Sequence, residues 1–470
     1  MSRVAAFFLC LVLLAGCAPL VSTYERPAPP LPHTYPDAPA ASDAAAPRLP
    51  WRTVFSQPDM QRLIEAVLAG NRDARLAALA AEQARVRFWL QGSALFPQVD
   101  ARASGARSRT PADLSRMGYA ITSSEYRVEL GAAAWELDFW GRVRNLEEAA
   151  LQQWLAQCEA QRAARQALIQ QAARGWLALC SVDERLAIAR ETVTSRQQTL
   201  RMFRRRVEEG AAARLDLLQV QALLTQAQTL LAQLERERAG TLNALRLLVG
   251  GEPPLPTSAD GAACTRLDAI APPAPGLPSE LLDTRPDVRA AEHRLMAAGA
   301  NIGAARAALL PRITLTGALG TASASLDGLF TGASRVWSFA SAISLPIFDA
   351  GRLRGEVALA ELEREKALAE YEKTIQTAFR EVADALAAHR WLTEQLAVQQ
   401  EAEQAQAERA RLAALRYEAG AARYLEVLDA QRDWLAARQQ LAATRSDVLA
   451  ARVQIYGALG GAGECGETEQ

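Results

Sequence analysis

Apolar and polar residues alternate with a period of two along four short stretches of the chain, while most of the remainder carries helical spacing. In Arg312 to Thr321, Ile313, Leu315, Gly317 and Leu319 fall on one face, and Thr314, Thr316 and Ala318 on the other. In Trp337 to Ile347, Trp337, Phe339, Ile343, Leu345 and Ile347 alternate with Ser338, Ala340, Ala342 and Ser344. Earlier, Val99, Ala101 and Ala103 alternate with Asp100, Arg102 and Ser104, and Tyr126, Val128, Leu130 and Ala132 oppose Arg127 and Glu129. This alternation predicts four strands of roughly ten residues, each with one apolar and one polar face. Such strands suit a membrane barrel with a wet lumen, and equally a soluble sandwich with one solvated face. The count adds a constraint: a membrane barrel takes about eight strands or more, and an open edge in lipid leaves backbone groups unsatisfied. Four strands in lipid therefore require several chains to share one barrel.

The helical stretches are long. From Arg142 to about Val207 there is no proline and a single glycine, Gly175, which at 1.5 Å per residue predicts a helix of roughly 100 Å. The stretch from Arg352 to about Tyr417 carries Leu368, Ile375, Val382 and Leu396 in one seven-residue register, with Tyr371, Phe379 and Leu386 between them. Heptad spacing predicts helix packed on helix without choosing between a tube and a bundle. Each long stretch ends in a break centred on glycine, "RVEEGAAARLDLLQVQ" at Arg206 and "RYEAGAARYLEVLDAQ" at Arg416. Arg206, Gly210, Leu215, Leu218 and Gln221 recur 210 positions later as Arg416, Gly420, Leu425, Leu428 and Gln431. Upstream, "LFPQVDARASGA" at Leu95 matches "LLPRITLTGALG" at Leu309, and "DFWGRVR" at Asp138 matches "FDAGRLR" at Phe348. The chain is a duplicated domain, each copy running helix, strand, hairpin loop, strand, long helix, glycine turn, helix. The outward hairpin loops are expected at residues 107 to 124 and 323 to 336.

Prolines crowd residues 19 to 58 and 253 to 286, and are absent between Pro111 and Pro253 and after Pro346. The expected organisation is a signal at 1–16, an extended tether at 17–58, a first repeat at 59–250, a Pro-rich linker at 251–278, a second repeat at 279–463 and a tail at 464–470. The opening "MSRVAAFFLCLVLLAGC" has Arg3 as a short positive region, an apolar run from Val4 to Leu13 too short to span a bilayer, and Leu14-Ala15-Gly16-Cys17 as a small-residue cleavage site. It resembles a bacterial lipoprotein signal. That resemblance implies that Cys17 becomes the mature N-terminus and carries covalent lipid, and that Ala18, where no Asp stands, favours sorting to the outer membrane.

The 52 basic and 53 acidic residues nearly cancel, leaving no basic surplus to neutralise phosphates, so no nucleic-acid partner is expected. Past the signal there is no run of about 20 apolar residues, which excludes a helical membrane span. Cys158 and Cys180 fall in one helical stretch about 33 Å apart and cannot bridge each other; both are expected as free buried thiols. Cys264 and Cys465 can pair in an oxidising compartment.

The duplicated unit, "LFPQV" and "LLPRI" before the first strand of each copy, "FWGR" and "DAGR" after the second, "LLDTRPDV" opening the second copy, and the lipid-box cysteine together resemble TolC-like outer-membrane efflux proteins, in particular the lipoproteins that serve resistance-nodulation-division pumps. The resemblance implies a mixed, mostly α fold: a homotrimer whose twelve strands, four per chain, form one β-barrel on a long periplasmic α-helical barrel. It implies a passive duct in the outer membrane, met by a periplasmic adaptor protein and an inner-membrane efflux pump. It also places residues. Within "YLEVLDAQR", Leu425 is implied to form an apolar constriction, Asp429 a ring of three carboxylates and Arg432 its polar partner at a periplasmic gate. Gly210 and Gly420 are implied to make the turns at the tip, where Arg214 and Leu215 meet the adaptor. Gln219 stands where Asp429 stands in the other copy, and whether Asp216 supplies charge there is left open. Trp135, Phe139, Trp140, Trp337 and Phe339 are candidates for the membrane border.

No enzyme is expected. His33, His293 and His389 belong to no spaced metal-ligand set, the Gly-rich "GALGTAS" lies in a strand and leads no helix, and no nucleophile, base and orienting acid stand together. Neither metal nor cofactor is expected beyond the lipid on Cys17. Two other readings stand beside the drug duct: a type I secretion conduit for protein, and a lipid-anchored coiled-coil scaffold without a pore.

Overall fold

The computed structural model describes residues 24–29, 32, 35, 50–255, 270 and 280–461. Cys17, most of the tether and linker, and the proposed Cys264–Cys465 pair lie outside the described residues. The elements run α1 (Trp51–Val54), α2 (Pro58–Gly70), α3 (Arg72–Ser93), β1 (Val99–Thr110), β2 (Ile121–Leu137), α4 (Arg142–Glu208), α5 (Arg214–Val249), α6 (Leu281–Thr284), α7 (Pro286–Ala307), β3 (Arg312–Ser323), β4 (Arg335–Ser344), α8 (Arg352–Glu418) and α9 (Tyr424–Ala458). The chain divides into two units, one comprising residues 24–28, Ala80–Cys158 and Ala290–Tyr371, the other the described remainder.

The first unit holds one four-stranded sheet, antiparallel in the order β1-β2-β3-β4. Its register sets the apolar positions opposite one another. Ala101 pairs with Leu130, Leu130 with Leu319, and Leu319 with Trp337; one step along, Val99 pairs with Ala132, Ala132 with Gly317, and Gly317 with Phe339. Since side chains of paired residues share a face, the four alternating patterns sum to one apolar surface. That surface is open: Leu130 is 59 % exposed, Leu319 68 % and Trp337 75 %. The other face carries Arg127, whose Nη2 lies 2.6 Å from Glu125 Oε1 and Nη1 3.4 Å from Glu129 Oε2. No helix among the described residues is long and apolar enough to cross a membrane.

Two boundaries differ from the sequence reading. The connections are shorter than residues 107 to 124 and 323 to 336, because β1 continues to Thr110 paired with Ile121, and β3 continues to Ser323. Arg107, Ser108, Arg109 and Thr110 are polar on both faces, so they show no alternation, yet the backbone ladder does not depend on side chains. Conversely β4 stops at Ser344 rather than Ile347; Pro346 lacks the amide a ladder needs. β2 is the longest strand, with a register shift between Ala132 and Trp135.

After each second strand an acid receives the free amides of the helix that follows. Asp138 accepts from the Val143 and Arg144 amides at 3.0 and 2.9 Å, and Asp349 from Leu353 at 2.9 Å. This is the physical content of the "FWGR" and "DAGR" motifs: the start of a helix lacks internal acceptors and favours negative charge.

The second unit is helix packed on helix. One core gathers Trp51, Phe55, Leu63, Ile64 and Val67 with Trp176, Leu177, Leu245 and Tyr456; another joins Val193, Phe203, Val220, Leu224 and Leu428. Along α8 the heptad positions Ile375 and Val382 are buried, as are Tyr371 before them and Leu386 after them. Leu368 and Leu396 are only half-buried. Cys180 is buried and disulfide-bonded, and Cys158 is in no disulfide. This corrects the expectation of two free thiols: spacing along one helix excludes a bridge within it and says nothing of a partner from elsewhere.

Both long helices end identically. Gly210 and Gly420 have φ of 71° and 73°. The Ala211 amide donates to Arg206 O at 2.7 Å and Gly210 to Val207 O at 3.1 Å, while Ala421 donates to Arg416 O at 2.8 Å and Gly420 to Tyr417 O at 3.0 Å. This pair of bonds closes a helix on a left-handed residue, so glycine is required by backbone angle alone, since a Cβ at either position would meet nothing within 4 Å.

Gly210→Ala or Gly420→Ala is therefore expected to destabilise its turn by about 1–2 kcal/mol, seen as faster amide hydrogen exchange confined to that hairpin. Phe203→Ala should cost roughly 3–5 kcal/mol and speed exchange in both hairpins, because its core includes Leu428 from the second; protection lost in the first hairpin alone would show that the two are not packed as one.

Candidate functional site

The two glycine turns bring together most of the residues singled out by sequence. In the second hairpin, Leu425 is exposed on the first turn of α9, while Val427 and Leu428 point into the packing and are buried. In the first, Arg214 opens α5 and is exposed, as are Leu215 and Leu218. Leu215 and Leu425, equivalent by duplication, thus both face out, and Gly210 and Gly420 lie exposed at the turns themselves.

One turn after Leu425, Asp429 is half-exposed, and Arg432 Nη1 lies 3.3 Å from its Oδ1. Arg432 also reaches Asp433 Oδ1 at 3.2 Å, and Arg409 of α8 reaches Asp433 Oδ2 at 2.8 Å. The result is a chain of alternating charge, Asp429, Arg432, Asp433, Arg409, across the hairpin. The hydrogen bond from Arg409, then that from Arg432, holds the Asp433 carboxyl below the usual carboxylate range.

Sequence reasoning missed Asp433 and Arg409, although a signal existed. Antiparallel helices joined at a tight turn pair residues equidistant from it. Arg416 and Glu426, 3.1 Å apart, lie five positions either side of Ala421, and Arg409 and Asp433 lie twelve either side. Reflecting the charges about the turn recovers both pairs.

An aromatic cluster locks this hairpin to the first. Tyr424 packs against Phe203 of α4 with the rings tilted by 39° and centroids 4.4 Å apart, and meets Tyr417 edge-on at 4.8 Å. Arg206 lies over the Phe203 and Tyr417 rings at 5.8 and 5.9 Å and donates to the Tyr417 hydroxyl. Burial pushes the Tyr424 hydroxyl up from its ordinary value. None of these aromatics was singled out by sequence, because a Tyr at helical spacing reads as ordinary packing. Asp216 is equivalent to Glu426, not to Asp429, and Gln219 in the Asp429 position carries no charge.

Of the border candidates, Trp337, Phe339 and Phe139 are exposed. Trp135 and Trp140 instead use their indole N–H groups, donating to Leu95 O at 3.3 Å and to Pro311 O at 2.8 Å, which ties the end of β2 to the segments that lead into β1 and β3. His389 sits 3.3 Å from Arg452 Nε, and burial, then the charge of Arg452, lowers its proton affinity. No group of His, Cys, Asp and Glu among the described residues is placed to hold a metal ion.

Comparison with known proteins agrees with this architecture. The family model described as outer membrane efflux protein matches residues 63–251 and 277–461. The probable efflux pump outer membrane protein SepC of Pseudomonas putida is 43% identical over 460 residues, covering 96% of this chain and 95% of that one. A membrane protein from Pseudomonas aeruginosa, solved by crystallography, superposes with a TM-score of 0.86 at 40% identity, covering 94% of this chain and 98% of the other. The open state of the Neisseria gonorrhoeae MtrE outer membrane channel does so with a TM-score of 0.86 at 34% identity and the same coverage. A duplicated strand-and-helix chain, its sheet apolar on one open face and its long helices turned on paired glycines, belongs to the outer membrane efflux protein family.

Proposed function

We propose that the protein is the outer-membrane duct of an efflux pump, in which three copies complete one twelve-stranded barrel. The observation that carries this is the sheet. Four strands present a continuous apolar face to the outside, and β1 and β4 are edges with unpaired backbone groups. In lipid those edges must pair with further strands, and a second and third copy supply them in the same register-matched form. The polar face with Arg127, Glu125 and Glu129 then lines a wet passage. Lipid on Cys17 tethers each copy to the same membrane.

At the glycine turns, Leu425, Asp429 and Arg432 of the three copies form the constriction. Leu425 is partly exposed on its own chain and so is able to meet its counterparts. The half-exposed Asp429 carboxylates favour cations and repel anions, and Arg432 fixes their orientation. The exposed Arg214 and Leu215 of the other hairpin are the surface offered to a periplasmic adaptor protein, which connects the duct to an inner-membrane pump. The side chains do no chemistry on cargo; the duct is passive, and the pump selects.

Purified protein in detergent is expected to be a trimer that forms discrete channels in planar bilayers. A monomer without conductance would leave only the coiled-coil scaffold reading, and a trimer that passes unfolded polypeptide but no small solute would favour the secretion conduit. Asp429→Ala removes the proposed ring of three carboxylates, and with it the charge that favours cations at the constriction. Single-channel recording should show weaker cation preference and a higher leak conductance; unchanged selectivity and conductance would exclude Asp429 from the constriction.

A further inference from the structure

Apart from the residues assigned to the gate, the most conspicuous unresolved charge in the helical unit is Arg196 of α4. Its side chain is 4% exposed, and Nη1 has no hydrogen-bond partner. No carboxylate among the described residues forms an ion pair with it; Tyr424 is the one group felt electrostatically, and burial lowers the proton affinity of the guanidinium. Arginine nonetheless stays charged in proteins. A buried cation with an unused donor is costly unless something supplies the opposite charge.

The surroundings of Arg196 are built to admit such a group. It lines a cavity of about 520 Å³ between α4, α5 and α9, far larger than the roughly 30 Å³ of a water molecule. Three arginines contribute to the wall, Arg185, Arg196 and Arg432, and none of the thirteen lining residues is acidic. Arg185 is already engaged, with Gln439 at 3.2 Å and Glu237 at 3.3 Å, and Arg432 with Asp429 and Asp433. Gln226 and Gln233 add side-chain amides able to donate hydrogen bonds, while the Thr192 hydroxyl already donates to Ile188 O at 2.8 Å. Only Arg196 is left with a donor unmatched.

We propose that this cavity binds a small dissolved oxyanion of the phosphate or carboxylate class, seated against the Arg196 guanidinium. A planar guanidinium matches two oxygens of either group, and a wall with three cations and no carboxylate disfavours a metal ion or an ammonium. Arg432 belongs to this wall and is also the partner of Asp429, so the bound anion and that ion pair share one guanidinium. The inference does not depend on the duct reading, since binding is measured on the protein whether or not it conducts.

The experiment titrates inorganic phosphate against purified full-length protein in detergent, exchanging it for chloride at constant ionic strength, with heat of binding and melting temperature as readouts. Wild type should bind saturably and melt higher as phosphate rises. Arg196→Met should weaken binding by about tenfold or more and abolish the shift. Ala436→Phe keeps the guanidinium but fills the cavity from α9 and should abolish it too, which keeps the test decisive should Arg196→Met fail to fold. No saturable phosphate binding by wild type, or equal binding by wild type and Ala436→Phe, overturns the proposal.

Discussion

The backbone of a sheet edge has to be hydrogen-bonded somewhere, and in this protein that requirement governs the rest. Each of the four strands satisfies its inner neighbours, but β1 and β4 have none beyond them. A soluble protein would let water complete the edges and would fold the apolar face inward. Here Leu130, Leu319, Trp337 and Phe339 remain on an open face, with charge on the opposite one. Water therefore satisfies neither the face nor, once that face is in lipid, the edges. A closed ring of identical copies, as in the proposed trimer, answers both, because each copy brings edges of matching length and chemistry. It also explains the duplication: two copies of a hairpin in one chain halve the number of subunits a barrel of that size would otherwise need.

The junction between strand and helix shows how a short motif earns its persistence within the chain. Asp138 and Asp349 do not occupy equivalent positions, since one precedes and the other follows the residue matched by duplication, yet both deliver a carboxylate to the first free amides of a 67-residue helix. What is preserved between the halves is the satisfied helix terminus rather than the residue number. Glu136 adds a second tie in the first half, bridging Arg142 of α4 and Arg312 of β3 at 2.7 Å each, so the sheet and the start of the helix in that unit are fixed by charge as well as by chain connectivity.

The long elements were legible because their signals are physical and repeated. The absence of proline over sixty residues admits one reading, and α4 and α8 begin at the arginines where the pattern placed them, each ending one residue beyond. Strand cores were legible from alternation; strand ends were not, because Arg107 to Thr110 pair through backbone alone. At the turns, glycine announced itself, since only a left-handed residue closes the helix there. The salt-bridged chain through Asp433 escaped notice because a charge on a solvated helix face looks the same whether or not it has a partner across the turn. Arg196 escaped for the opposite reason: an isolated arginine among polar residues gives no sign in the sequence that it is buried.

The two turns are alike in backbone yet unlike in the contacts their equivalent charges make. Arg206 and Arg416 are equivalent, as are Asp216 and Glu426. In the second hairpin the pair closes on itself, Arg416 to Glu426. In the first, Arg206 turns away to the Tyr417 hydroxyl and two aromatic rings of the core that joins the hairpins. One hairpin thus spends its arginine on its own turn, the other on holding its neighbour. The same divergence occurs a turn further on, where Gln219 is neutral and Asp429 is charged and held by Arg432. In the second copy Arg432 reaches both Asp429 and Asp433, and Arg409 reaches Asp433. The charged constriction proposed above therefore draws its acid from the second hairpin, since the first carries neutral Gln219 at the equivalent position.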